Sequence, residues 1–168
     1  MCEIGFFAPE ALTDSQFHKL SSFIHTNVGI KMPDEKQLMV QSRLTSRLKS
    51  LKMDNFDDYL KLAFSNTPEG NDEIALMINA VTTNLTNFFR ENAHFEYLTN
   101  VVLPELAKKN EKKIELWSAG CSSGQEPYTL SIVMQEFMRK NPGKIEDYSI
   151  LATDISSKVL DKAVDAVY

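Results

Sequence analysis

The stretch Trp117-Ser118-Ala119-Gly120-Cys121-Ser122-Ser123-Gly124-Gln125-Glu126-Pro127-Tyr128 holds the residues best placed to do chemistry. It follows an apolar run and opens a segment with helical spacing, so it reads as a strand, a loop and the start of a helix. Glycines in such a loop let backbone approach a ligand closely, and the helix start presents N–H groups without helical partners. The spacing is not GxGxxG, which disfavours a nicotinamide cofactor. A plain tight turn fits the glycines equally well. Asp154 closes a second apolar run. In open α/β sheets ligands bind at the carboxyl ends of strands, where an acidic residue can accept hydrogen bonds from ribose hydroxyls. Alternatively, Asp154 caps the helix that follows. Both loops open on one sheet edge, and the pair is stronger evidence than either alone. The third stretch is Thr82-Thr83-Asn84-Leu85-Thr86-Asn87-Phe88-Phe89-Arg90-Glu91. Small polar groups can orient a zwitterionic ligand, and Arg90 can hold a carboxylate by two hydrogen bonds. On chemistry alone this stretch reads first as a capped loop with Phe88 and Phe89 in the core.

The elements around these stretches divide in two. The first half is helical. Thr13-Asp14-Ser15-Gln16 is a capping box, Phe17, Leu20, Ile24 and Val28 follow at helical spacing, and Gly29 ends the helix. Pro33 suits the first turn of a second helix with Leu44, Leu48 and Leu51 as its apolar stripe. Asp54 is the expected cap of a third helix, carrying Phe56, Tyr59, Leu60, Ala63 and Phe64. Thr67-Pro68-Glu69-Gly70 reads as a break, and Asn71 as the cap of a fourth helix with Ile74, Met77, Ile78 and Val81. The second half changes character. A helix over about 93–108 precedes a strand over 113–119. After the glycine loop comes a helix with Leu130, Val133, Met134 and Phe137 on one face, then a strand over 148–153 and a helix capped by Ser156. Strand, helix, strand, helix implies a parallel sheet with a right-handed crossover. Two parallel strands are too few to close an α/β core, so the chain reads as the front part of a larger sheet.

Composition narrows the function. Of 168 residues, 43% are hydrophobic and 24% charged, enough apolar surface for a packed core. The net charge of -5 argues against general nucleic-acid binding, which needs a basic surface. Cys2 and Cys121 are far apart and suggest neither a disulfide framework nor a thiolate metal site. His18, His25 and His94 lack ligand-like neighbours, and no metal is expected. No apolar run approaches the roughly 20 residues that span a bilayer, and the N-terminus lacks the pattern of a signal peptide. A cytoplasmic protein without membrane insertion is the expectation.

Taken together, Thr82 to Glu91, Trp117 to Tyr128, and Ala152-Thr153-Asp154-Ile155-Ser156 with Ala163 to Tyr168 resemble the chemotaxis receptor (protein-glutamate) O-methyltransferase family, in order and spacing. The resemblance runs from about Leu12 to Tyr168. It implies an α/β chain. A helical receptor-docking domain over 1–77 precedes, over 78–168, the first βαβα part of a Rossmann-like class I methyltransferase domain that uses S-adenosylmethionine (SAM). It also implies that Asn84, Thr86, Arg90, Glu126 and Asp154 contact SAM or its product S-adenosylhomocysteine, with Arg90 near the transferred methyl and important for activity. The implied reaction methylates glutamate side chains in the cytoplasmic region of chemotaxis receptors. The family continues beyond the last motif found here, so activity of these residues alone is not expected. The alternative is a non-catalytic receptor-binding or SAM-sensing module. Lys36, Arg43 and Arg47 fall within about 40° of one another on the second helix, a stripe able to attract an acidic receptor helix. In the resembled family this face is thought to meet the receptor.

Overall fold

Thr13 caps α1 (Asp14–Val28) through the expected reciprocal pair. The Gln16 N–H donates to Thr13 Oγ1 at 3.3 Å, and the Thr13 N–H donates to Gln16 Oε1 at 2.9 Å. Phe17, Leu20 and Ile24 are buried, and Gly29, at φ 75°, closes the helix with its N–H on the His25 carbonyl. The computed structural model describes residues 9–168, so Cys2 and the first residues of the helical domain lie outside the described residues.

Pro33 leads into a short 3₁₀ turn (Asp34–Lys36) and then α2 (Gln37–Leu51), which buries Val40, Leu44 and Leu48 and packs Leu51 half-buried beside them. Asn55, not Asp54, caps α3 (Phe56–Ala63), its Oδ1 accepting the Asp58 N–H at 2.9 Å. Thr67-Pro68-Glu69-Gly70 is not a break but the start of α4 (Pro68–Val81). Thr67 Oγ1 accepts the Gly70 N–H at 3.1 Å, and Pro68 sits where a helix leaves an N–H unpaired in any case. Asn71 therefore lies inside the helix. A side chain at Gly70 would meet Ser65 Oγ at 2.5 Å and the Leu62 carbonyl at 2.7 Å, so glycine is what lets α3 turn tightly into α4.

These helices share one core that includes Met77 and Val81. The chain divides into two compact units after Thr82, not after Met77. The reason is that α4 runs unbroken through the expected boundary to bury Val81 with the first unit.

The basic stripe on α2 is largely turned inward. Arg47 grips Glu73 of α4 with two bonds, Nε to Oε1 at 3.0 Å and Nη2 to Oε2 at 2.6 Å. Tyr59 adds a third, its hydroxyl donating to Glu73 Oε1 at 2.9 Å. Glu73 is only 3% exposed. Burial first, and the neighbouring carboxylate second, push the Tyr59 hydroxyl well above the usual phenol range, so it stays a donor. Arg43 donates from Nη1 to the Val81 and Thr82 carbonyls at 2.7 and 2.9 Å, satisfying the end of α4. Of the three cations expected to form a solvent-facing stripe, Lys36 alone is classed as exposed. A buried carboxylate and a helix end both demand donors, and α2 supplies them.

In the second unit the expected helix over 93–108 forms as α5 (Ala93–Tyr97), a π-helical turn (Leu98–Val102) and α6 (Leu103–Lys108). Pro104 explains the widening. It has no N–H to donate, and its ring crowds the carbonyl four residues earlier, at Asn100. Strand β1 (Lys113–Ala119) pairs in parallel with β2 (Asp147–Thr153), from Lys113 opposite Asp147 to Ala119 opposite Thr153. α7 (Gln125–Lys140) connects them, and α8 (Ser157–Asp165) follows. One sheet face packs Ile114 and Leu116 against Val133, Met134 and Phe137 of α7. On the other face Trp117 and Leu151 stand opposite each other, 68% and 61% exposed. No helix among the described residues is long and apolar enough to cross a membrane.

The Arg47–Glu73–Tyr59 set fixes α2, α3 and α4 together, and its removal piece by piece differs from its removal as a whole. Glu73→Ala leaves Arg47 and Tyr59 without their acceptor and should cost about 3 kcal/mol, the low end for breaking a buried pair because Arg47 keeps some solvent. The triple replacement Arg47→Met, Tyr59→Phe, Glu73→Leu should recover most of that loss. Urea unfolding with an unchanged m-value measures both.

Candidate functional site

The site is assembled at the carboxyl ends of β1 and β2. The carbonyl of Thr153, the last residue of β2, accepts the N–H groups of both Gly120 at 2.7 Å and Cys121 at 2.9 Å. That double bond pins the β1–α7 loop to the neighbouring strand. The loop then turns through left-handed backbone at Gly120 (φ 81°), Ser122 (φ 51°) and Gly124 (φ 97°). A side chain at Gly120 would meet nothing within 4 Å, whereas one at Gly124 would meet Tyr168 Oη at 2.5 Å and Ala163 at 3.0 Å. Gly124 serves the close approach of α8, and Gly120 leaves space at the strand end.

Asp154 joins the two loops. Its Oδ2 accepts the Ser122 N–H at 2.8 Å and its Oδ1 the Ser156 N–H at 2.9 Å. The alternative that Asp154 caps the last helix is thus partly met, since Ser156 is the N-cap residue of α8 and offers no capping bond from its own side chain. Ser122 in turn reaches the Thr82–Glu91 stretch, its hydroxyl donating to the Asn84 carbonyl at 2.8 Å. The Asn84 amide lies 3.5 Å from Ser156 Oγ. Asn84, Ser122, Asp154 and Ser156 therefore form one closed set.

Glu126 lies in the first turn of α7, where an anion is favoured, and accepts a bond from Ser118 Oγ at 2.6 Å. Ser118 is fully buried at the end of β1. Thr86 lines an open groove of about 780 Å³ with Phe88, Ser123, Gln125, Lys162 and Tyr168. None of the other four expected residues lines that groove. Arg90 is exposed and donates from Nη1 to the Leu85 carbonyl at 2.7 Å, which curls the stretch back on itself. Phe88 and Phe89 are 37% and 42% exposed rather than core residues. Phe88 meets the Tyr168 ring edge-on at 5.0 Å between ring centres, and the Phe89 N–H donates to Thr129 Oγ1 at 3.3 Å.

The structure thus brings Asn84 and Asp154 into one hydrogen-bonded set, holds Glu126 at the end of β1, and places Thr86 on the groove and Arg90 on the surface. Ser118, Ser122, Thr129 and Ser156 were not expected as participants. Nothing in the sequence singled Ser122 out from Cys121 and Ser123, which lie with it between Gly120 and Gly124. Burial, with the Asp154 charge adding to it, pushes the Cys121 thiol up and keeps it protonated.

Two family models together match most of the chain. Residues 15–82 match the CheR methyltransferase all-alpha domain, and residues 84–168 match the CheR methyltransferase SAM binding domain. The chemotaxis protein methyltransferase of Borreliella burgdorferi is 38% identical over 161 residues, covering 94% of this chain and 56% of that protein. That of Escherichia coli is 37% identical over 158 residues, covering 94% and 52%. Chemotaxis protein methyltransferase 1 of Vibrio cholerae is 35% identical over 157 residues, covering 94% and 56%. The chain spans about half the length of the curated relatives it matches. The SAM binding domain makes S-adenosylmethionine the cofactor. With one unit matching the all-alpha domain and the other the SAM binding domain, the chain belongs to the CheR methyltransferase family.

Proposed function

We propose that the protein methylates glutamate side chains in the cytoplasmic region of chemotaxis receptors, giving glutamate methyl esters and S-adenosylhomocysteine. The observation that carries this reading is the convergence of the Thr82–Glu91 stretch, the β1–α7 loop and Asp154 at one sheet edge. The residues fit the cofactor. Gly120 leaves open space where a Cβ would stand, as a loop that admits a ligand requires. Asn84, Thr86, Arg90, Glu126 and Asp154 would hold SAM. Each Asp154 oxygen accepts one N–H, and a carboxylate has about four acceptor positions, so capacity remains for ribose hydroxyls.

When bound, SAM supplies a methyl group on a positively charged sulfur. The receptor carboxylate is ionised at neutral pH, with an ordinary pKa of about 4.3, so it needs no strong general base. The chain's task is therefore alignment, and positioning of this kind contributes roughly 7–11 kcal/mol in well-oriented reactions. Arg90, on the surface beside the site segment, is assigned to orient the incoming carboxylate. The helical unit is assigned to docking. Of the three cations in the stripe, Lys36 carries the solvent-facing charge, while Arg43 and Arg47 hold the helices beside it.

Methyl-labelled SAM mixed with the full-length protein and a receptor cytoplasmic fragment should yield label in the receptor that base releases as methanol. Binding of S-adenosylhomocysteine without any labelling would instead favour the non-catalytic module. Gly120→Ala should weaken S-adenosylhomocysteine binding in calorimetry and cost about 1 kcal/mol of stability from its left-handed backbone. Unchanged affinity would place the ligand elsewhere. Lys36→Glu should slow receptor methylation most at low salt and leave cofactor affinity as it was. A salt-independent rate equal to wild type would remove Lys36 from docking.

A further inference from the structure

We infer that Ser122 is a positioning residue for the cofactor, acting through Asn84 and Asp154. This rests on the SAM-binding reading of the site. Ser122 is 8% exposed and sits at φ 51°, a left-handed conformation that glycine adopts without strain and serine rarely adopts. Local turn geometry alone would be served better by glycine. The side chain is used instead: Ser122 Oγ donates to the Asn84 carbonyl at 2.8 Å, fixing the backbone from which the Asn84 amide projects. The Ser122 N–H donates to Asp154 Oδ2 at 2.8 Å, so one residue sets the orientation of two ligand-holding side chains. Asp154 Oδ1 is fixed by the Ser156 N–H, and the Asn84 amide approaches the Ser156 hydroxyl, which completes the ring. Within this set the Ser122 hydroxyl supplies the shortest bond between the Asn84 segment and the strand-end loops. A ligand site must hold its polar groups in the bound geometry before the ligand arrives, or binding bears the ordering cost.

Three substitutions in the full-length protein separate positioning from a purely structural role. Ser122→Gly relieves the backbone and removes the hydroxyl. Ser122→Ala keeps the strain and removes the hydroxyl. Ser122→Thr keeps the hydroxyl but puts a β-branched residue in left-handed backbone. Melting temperature should be highest for Gly, near wild type, and lowest for Thr. Affinity for S-adenosylhomocysteine, by titration calorimetry on folded protein, should run the other way, with Thr near wild type and both Gly and Ala about tenfold weaker. The Gly variant decides: a stable protein with wild-type affinity overturns the inference, as does an affinity order that simply follows melting temperature. Wild-type protein that fails to bind S-adenosylhomocysteine at all would overturn the SAM-site reading itself, and this inference with it.

Discussion

The second unit is organised around the need to bring three stretches, distant in sequence, to one end of a two-stranded parallel sheet. Parallel pairing sets the scale, since it places Ala119 beside Thr153 and so delivers both strand-end loops to the same edge. Two acceptors then hold the loops together. The Thr153 carbonyl takes two N–H groups from the first loop, and the Asp154 carboxylate takes one from each. Charge makes Asp154 the stronger of these two acceptors, because a hydrogen bond to an ionised oxygen is about twice as strong as a neutral one. The carboxylate proposed above to meet a ribose is thus also a structural clasp between the two loops.

Glycine has two separate uses in that loop. Gly124 is required by packing, because α8 brings Ala163 and Tyr168 against the place a side chain would occupy. Gly120 has open space beside it, and what it serves is its own left-handed backbone at φ 81°. Read from sequence, both glycines fit either a ligand loop or a plain turn. The structure separates them by packing, crowded at Gly124 and open at Gly120.

The helical unit shows a different economy of charge. Glu73 is buried on α4, and a buried carboxylate is stable only with partners close enough to offset lost hydration. Arg47 and Tyr59 provide them. Arg43 does the same for the carbonyls at the end of α4, just before the polar stretch that enters the second unit. Helical periodicity put the three cations on one stripe of the second helix, but Arg43 and Arg47 of α2 bond to protein, while Lys36 lies in the 3₁₀ turn before it and faces solvent.

Much of the architecture was legible because it is local. The Thr13 capping box, the Gly29 stop, the apolar faces of the helices and both strands follow from periodicities and caps within a few residues. Errors arose where two local signals competed, as at Thr67-Pro68-Glu69-Gly70, whose proline and glycine read as a break although the same residues cap and begin α4. The helix over 93–108 formed as expected in extent, but with a π-helical turn before Pro104 that periodicity does not record. The three site stretches were visible as residue types, and their family pattern named Asn84, Thr86, Arg90, Glu126 and Asp154. What sequence could not supply was partnership. That Arg47 meets Glu73, that Ser118 meets Glu126, and that Ser122 ties Asn84 to Asp154 are contacts between residues 8 to 38 positions apart. A local pattern records which face a side chain occupies. Only packing decides what stands opposite it, because the directional and desolvation energies of buried polar groups depend on distances that exist only once the chain has folded.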